Sequence, residues 1–357
     1  MSVFDKITVI IPSLDPDEKL MKVVSGLEEI GFNDIIVVND GSRAEKLCNF
    51  PDPDKYRACT VLTHEVNRGK GAALKTAFEY FLQNRPERLG VITVDGDNQH
   101  KSADVLACAE KMISENKLVL GVRDFSLPHV PRRSRFGNRI TSGVFRFFCG
   151  MKISDTQTGL RAFPREILPQ MLLVSGDRFE YETNMLLSLK EFGIKLIEQP
   201  IETVYIEENQ TSHFRPVRDS IRVYSLILKF IISSAVASAL DHLIFFLVKL
   251  FFGKFFVPYS ILVSMIIARV FSSVTNFVLN KKTVFNNSDG VAKTIVRYYI
   301  LAVPMLLISC VGIDLVTDTL GITSAAITTI IKIVIETVLF ILSFRLQREW
   351  VFSRKKK

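Results

Sequence analysis

The residues best suited to chemistry lie in VDGDNQH, Val94–His100. Asp95 and Asp97 stand one residue apart where the apolar run VITV ends. Two carboxylates at that spacing can hold a hard divalent cation, Mg²⁺ or Mn²⁺, together with phosphate oxygens of a ligand. Mg²⁺ keeps several waters and bridges diphosphates, so few protein ligands are needed. The expected direct ligands are Asp97 and Gln99, with Asp95 touching metal or ribose. An Asp-x-Asp pair can equally be a plain strand-end turn; its place after VITV favours the metal.

Other segments supply complementary groups. In VVNDGS, Asp40 ends an apolar run and can accept hydrogen bonds from a base or ribose, or form an ordinary Asp-Gly turn. In NRGKGAALKTAF, Gly69 and Gly71 let backbone approach a ligand, the helix that follows offers free N–H groups to an anion, and Arg68 or Lys70 adds charge. The GxxxxGK[ST] phosphate loop is absent. Between Phe125 and Ser154 there is no acid, but Arg132, Arg133, Arg135, Arg139, Arg146 and Lys152 are present. Arg135, Arg139 and Arg146 share one helical face, and Phe136, Ile140, Val144, Phe147 and Phe148 another. Such a helix suits a membrane interface, and its guanidinium groups suit a lipid phosphate. Further polar groups able to reach the same place are Asp155, Thr158, Arg161, Glu180 and Glu182. Arg215 and Arg218, in SHFRPVRDSIR, are placed to sit over phosphates or to form a juxtamembrane positive patch.

These residues need a scaffold, and the pattern supplies one. Short apolar runs at Ile7–Ile11, Asp34–Asp40, Thr60–Glu65, Leu89–Asp97 and Leu118–Arg123 alternate with helical stretches at Glu18–Ile30, Ala72–Asn84 and Ala103–Asn116. That alternation predicts an α/β domain around a mostly parallel sheet covered on both faces. Ligands bind beyond the carboxyl ends of such strands. Pro12, Asp40, Asn67, Asp95–Asp97 and Arg123 are therefore expected to converge on one crevice.

From about Leu226 the pattern changes to four apolar segments, roughly 226–250, 257–280, 295–317 and 322–345. Each is near the ~20 residues that cross a bilayer. The formal charge of +8 divides unevenly: residues 1–220 hold 29 Lys and Arg against 31 Asp and Glu (−2), leaving 16 against 6 (+10) for 221–357. The excess base lies in the apolar part, which points to a membrane surface and away from nucleic acid. Bases after the second and fourth segments, none between the third and fourth, and no leader-like start together predict a multi-pass protein of the cell membrane with both termini and residues 1–220 in the cytoplasm. Five cysteines without a CxxC pair argue against a disulfide framework and a zinc site. FVLNKKTVF (Phe277–Phe285) and FRLQREWVF (Phe344–Phe352) form a repeat with an offset of 67 (344 − 277). It predicts two duplicated helical hairpins that end at the cytoplasmic interface.

Taken together, VIIP, VVNDGS, NRGKGAAL, VDGDNQH, ISDTQTGLRAF and FEYE resemble glycosyltransferase family 2 over roughly residues 5–225. Their order is similar to the dolichyl-phosphate mannose synthase and polyprenyl-phosphate glucosyltransferase branch. The second part resembles GtrA-like four-span domains. The resemblance implies a GT-A nucleotide-sugar-binding, Rossmann-like domain (1–220) and an all-α four-helix transmembrane domain (221–357). It implies a metal-dependent hexosyltransferase that uses a nucleotide-sugar donor, UDP-sugar favoured over GDP-mannose, and a polyprenyl or dolichyl phosphate acceptor in the bilayer. The product is a lipid-linked sugar for cell-envelope glycoconjugates, and self-association is left open. Carried over, Pro12, Asp15 and Asp40 line base and ribose, with Lys70 on the donor; Asp95, Asp97 and Gln99 manage metal and diphosphate. Arg123 and Arg135, with Arg139 alongside, grip the acceptor phosphate, Arg132 being the alternative to Arg135. Asp155 orients an arginine or the acceptor, and Arg215 closes over phosphates. The family's PxYNE-like start is PSLDPDE here, which leaves the contacts of Asp15 open. A processive polysaccharide synthase would carry QxxRW after the catalytic domain, and QREW (Gln347–Trp350) has the wrong order and place. The remaining rival is a lipid-linked-sugar translocator with a regulatory soluble half, suggested by Asp241, Arg269, Lys332 and Glu336 within apolar segments.

Overall fold

ITVII, IIVV and GVIT are too apolar to face water on either side, and they form the middle of a sheet with every one of those residues buried. The structure is a computed structural model that describes residues 2–128, 130–202, 225–252, 260–285, 287, 289–321 and 325–352. The chain divides into two compact units, Met1–Val223 and Tyr224–Lys357.

The first unit has strands β1 (Ile7–Ser13), β2 (Ile35–Asn39), β3 (Cys59–Thr63), β4 (Gly90–Thr93), β5 (Leu118–Val122), β6 (Arg161–Pro164) and β7 (Leu196–Pro200). Its helices are α1 (Glu18–Glu29), α2 (Lys70–Asn84), α3 (Ser102–Glu115), α4 (Arg132–Val144), α5 (Leu168–Leu172) and α6 (Glu180–Phe192). The sheet order is β3-β2-β1-β4-β6-β5-β7. All strands run the same way except β6, which is antiparallel to β4 and β5. The sheet is thus mixed, and the reversed strand is one of two, with β7, that alternation of apolar runs with helices did not reveal. Its four residues, RAFP, are too few to show a period. One face packs under α2 and α6 through Phe78, Phe81, Tyr181 and Leu186; the other packs under α1 and α3 through Leu20, Val24, Val105 and Met112. Registers align the carboxyl ends: Ser13 lies opposite Asn39, which lies opposite Thr63, and Val94 N–H donates to the Ile10 carbonyl.

The second unit is built from α7 (Ser225–Phe252), α8 (Ser260–Leu279), α9 (Val291–Thr319) and α10 (Ala325–Leu346). Among the described residues three stretches have the length and hydropathy to cross a bilayer: Leu228–Phe251, Val263–Val284 and Val291–Ser309. Both α8 and α10 run on into a π-helical turn, Asn280–Val284 and Gln347–Val351. These turns are the sequence repeat, and they meet. Asn280 Nδ2 donates to Gln347 Oε1 at 2.9 Å, across 67 residues. Phe285 stacks on Phe352 at 5.1 Å between ring centroids, and the crossed pairs Phe277–Phe352 and Phe285–Phe344 are both 5.9 Å apart. Asn280 also bonds Asn276, and Gln347 bonds Ser343, each four residues back and each at 3.0 Å. Equivalent residues contacting each other and crossed pairs of equal length are the marks of a pseudo-twofold axis. Because both hairpins reach it with the same helix end, the repeats are parallel.

Candidate active site

Strand ends set the stage. Where β4 stops, Val94 is still buried, and the chain turns through Asn98 in the left-handed region (φ 61°). That turn lets Gln99 N–H donate to Asp97 Oδ1 at 3.1 Å. Asp95 is drawn the other way. Its Oδ1 takes Lys70 Nζ at 2.7 Å, and the same ammonium lies 3.0 Å from Glu182 Oε2. Lys70 opens α2 and Glu182 stands in the first turn of α6, so three elements meet at one cation. His100 Nε2 is 3.8 Å from Asp95 Oδ2.

Two glycines make this closeness possible. A Cβ at Gly159 would lie 2.2 Å from Asp95 Oδ2. Gly69 sits at φ +106°, and a Cβ there would lie 2.4 Å from the Asp177 carbonyl oxygen. That carbonyl accepts from Ala72 N–H and braces the start of α2.

Asp40 reaches the crevice edge with its carboxylate engaged. Oδ1 accepts from His64 Nδ1 at 2.7 Å and from Arg68 N–H at 2.9 Å, and Oδ2 from Gly69 N–H at 2.7 Å. It therefore pins the loop that delivers Lys70. Asp15, in the left-handed region at φ 47°, accepts from Arg43 N–H and Nε, both at 2.9 Å, which clips the β1 end to the β2 end beside half-buried Pro12. At the end of β5, Arg123 grips fully buried Asp155 with Nε at 2.7 Å and Nη2 at 3.2 Å. A two-pronged pair of this kind fixes the guanidinium plane.

Of the residues expected in the crevice, the structure thus brings the ends of β1, β2, β4 and β5 to one edge and adds Glu182. Arg161, at the start of β6, is instead fully buried, donating to the Thr158 and Glu182 carbonyl oxygens. Arg135 stands apart on α4, exposed, donating to the Leu127 carbonyl at 3.0 Å. A third face of α4 meets the rest of the unit. Asn138, Thr141 and the following Phe145 point inward, Asn138 Nδ2 donating to the Ser154 carbonyl at 2.7 Å. Both Phe136, Ile140 and Phe147 and the arginines 132, 135, 139 and 146 are left outside. Arg215 lies outside the described residues. The functional residues that motif reading missed are His64, His100 and Gly159. The signal for Gly159 was a glycine beside Thr158 in TGLR.

The profile of Glycosyl transferase family 2 matches residues 8–172, and that of the GtrA/DPMS transmembrane domain matches 229–352. An uncharacterized protein of Methanocaldococcus jannaschii is 30% identical over 208 residues, 57% of this chain and 83% of its own. The chain belongs to glycosyltransferase family 2. Glycosyltransferase AglJ of Haloferax volcanii is 28% identical over 220 residues, 60% of this chain and 68% of its own. The UDP-N-acetylglucosamine–dolichyl-phosphate N-acetylglucosaminyltransferase of Methanococcus voltae is 26% identical over 226 residues, 56% of this chain and 86% of its own.

In this family 2 glycosyltransferase the two crevice carboxylates are driven apart. Burial works against ionised Asp95, but the Lys70 ammonium overrides it and holds the carboxyl well below the usual range. Asp97 is pushed up, first by burial and then by the Asp95 charge. Among the described residues Asp97 has no ion-pair partner. Nδ1 of buried His100 has no hydrogen-bond partner there either. No three His, Cys, Asp or Glu groups gather into a cage among the described residues. An uncompensated carboxylate beside a second one fits a divalent cation that takes its remaining ligands from water and a diphosphate.

Proposed function

We propose that the protein moves a hexose, with inversion, from a nucleotide sugar to a polyprenyl or dolichyl phosphate, making a lipid-linked sugar for cell-envelope glycoconjugates. A UDP-sugar is favoured over GDP-mannose, a preference supported by the nucleotide in the name of the Methanococcus voltae relative. The observation that carries the reading is uncompensated Asp97 beside the Lys70–Asp95–Glu182 cluster at the end of β4. Asp97 and Gln99, with Asp95, would hold Mg²⁺ or Mn²⁺, which when bound supplies positive charge to the departing nucleoside diphosphate.

The chain's own groups do the rest. Lys70, anchored by Asp95 and Glu182, adds a fixed charge facing the donor phosphates. Asp40 acts through the loop it pins, while Pro12 and Asp15 border base and ribose. A lipid monophosphate is already anionic at neutral pH and needs no strong general base, so buried, paired Asp155 serves as the orienter of Arg123. Arg123 then positions the acceptor oxygen for in-line attack, which inverts the anomeric carbon. The outward aromatic and basic residues of α4, Arg135 and Arg139 included, suit a bilayer surface carrying lipid phosphate. Arg215, by the family resemblance, contacts phosphate. The membrane unit spans four times, with both termini and the catalytic unit on the cytoplasmic side.

Membranes holding the full chain, incubated with polyprenyl phosphate and a panel of labelled nucleotide sugars, are expected to yield lipid-extractable label from one donor. No labelled lipid from any donor overturns the reading.

A further inference from the structure

The two halves of the membrane unit place opposite charges at equivalent positions. Arg269 on α8 and Glu336 on α10 are 67 residues apart (336 − 269), the offset that relates Asn280 to Gln347. Each precedes its amide by 11 residues (280 − 269 and 347 − 336). At ~1.5 Å per residue both lie about 16 Å along their helices from the amide pair, hence at one depth. A twofold relation puts them on opposite flanks, and their side chains are 62% and 53% exposed.

Neither charge is tightly satisfied where it stands. Arg269 Nε is 3.6 Å from Asp241 Oδ1 of α7, and Lys332 Nζ is 3.8 Å from Glu336 Oε1. Both separations exceed the ~2.7–3.2 Å of a hydrogen bond. Ionised groups at such depth ordinarily face protein or water, because lipid solvates them poorly. Around them the flanks are apolar and open: Ile266 and Val270 on one side, Ile333 and Val334 on the other.

We infer that these flanks are where a second copy of the chain docks, α8 of one copy against α10 of the next. Laid side by side at equal depth, the four charges alternate: Asp241 negative, Arg269 positive, Glu336 of the next copy negative, its Lys332 positive. Each loose pair thereby gains an opposite charge on its open side, and the exposed isoleucines and valines pack between helices. The contact joins unlike flanks, so it is heterologous and builds a ring or row.

The test uses the full chain with all five native cysteines replaced, in polymer-extracted native membrane. Ile266→Cys and Ile333→Cys variants, which keep all four charges, are differently tagged, expressed separately and together, and treated with a short bismaleimide. Linked dimers carrying both tags are expected in the co-expressed sample, several-fold above either variant alone. Mass photometry of the unsubstituted protein, which needs no variant to fold, should show species larger than one chain. A strictly monomeric wild type overturns the proposal and points to lipid or another protein as the cover. So does an absence of mixed-tag dimers, or equal linking in each single variant.

Discussion

The two units handle buried polarity in opposite ways. In the catalytic unit, polar groups away from water are charged and asymmetric: Lys70 between Asp95 and Glu182, Arg123 on Asp155, and Arg85 and Arg88 on Asp34. In the membrane unit the contact between the two repeats is neutral and near-symmetric, Asn280 with Gln347 extended by Ser233, Asn276 and Ser343, with that unit's one buried lysine among the described residues, Lys281, held by Asn287. A crevice that must meet diphosphates keeps charges because incoming ligand charge balances them. A helix bundle in lipid meets no such partner, and amides satisfy one another at lower desolvation cost. Polar residues inside this chain therefore report what each unit expects to meet.

Substitutions can break that contrast in graded steps. Lys70→Met should lower kcat/KM for sugar transfer by roughly 10²–10³, the scale of losing one fixed charge stabiliser. Steady-state rates with the preferred donor measure it, and a near-normal value would remove Lys70 from the site. Gly159→Ala should cost about ten- to a hundredfold, because its new methyl displaces the Asp95 carboxylate by around an ångström. Retained activity would show that Asp95 has room to move.

Asn280→Ala addresses the other side of the comparison. It strands the Gln347 amide and should destabilise the membrane unit by ~1–2 kcal/mol, read as an earlier thermal transition in detergent. An unchanged transition would mean that the amide pair is decorative.

The smallest expected effect has the opposite sign. The Asp97 carboxyl titrates above its ordinary 3.8 in the folded state. Folding therefore favours its protonated form, and stability is lost as pH rises through the folded value. Asp97→Asn should then raise Tm at neutral pH, while removing activity. Below about pH 4 the gain should vanish. A variant less stable than wild type at pH 7 would show that Asp97 is compensated after all.

Much of this was legible from residue order. VITV before Asp95 and Asp97, VVN before Asp40 and LVLGV before Arg123 placed each group at a strand end, because apolar run length locates where strands stop. The partners were not legible. Lys70 finds Asp95 only because Asp40 and the Asp177 carbonyl hold the start of α2, and those contacts cross 28 to more than 100 residues. Which residues of α4 face inward was not legible, because periodicity groups residues by polarity and not by contact. The inward face there is chosen by a specific bond, Asn138 to the Ser154 carbonyl. The membrane repeat was visible as text, whereas the contact of its two copies with each other follows only from the helices' packing.

The most direct test sets wild type against Asp97→Ala in membranes, with the preferred labelled nucleotide sugar, polyprenyl phosphate and Mg²⁺ or Mn²⁺, and follows label into the lipid extract. Asp97→Ala should insert as well as wild type yet give at least ~10²-fold less labelled lipid at any metal concentration. Equal labelling by the two proteins would contradict the assignment of the Asp95–Asp97 crevice as the place where sugar is transferred.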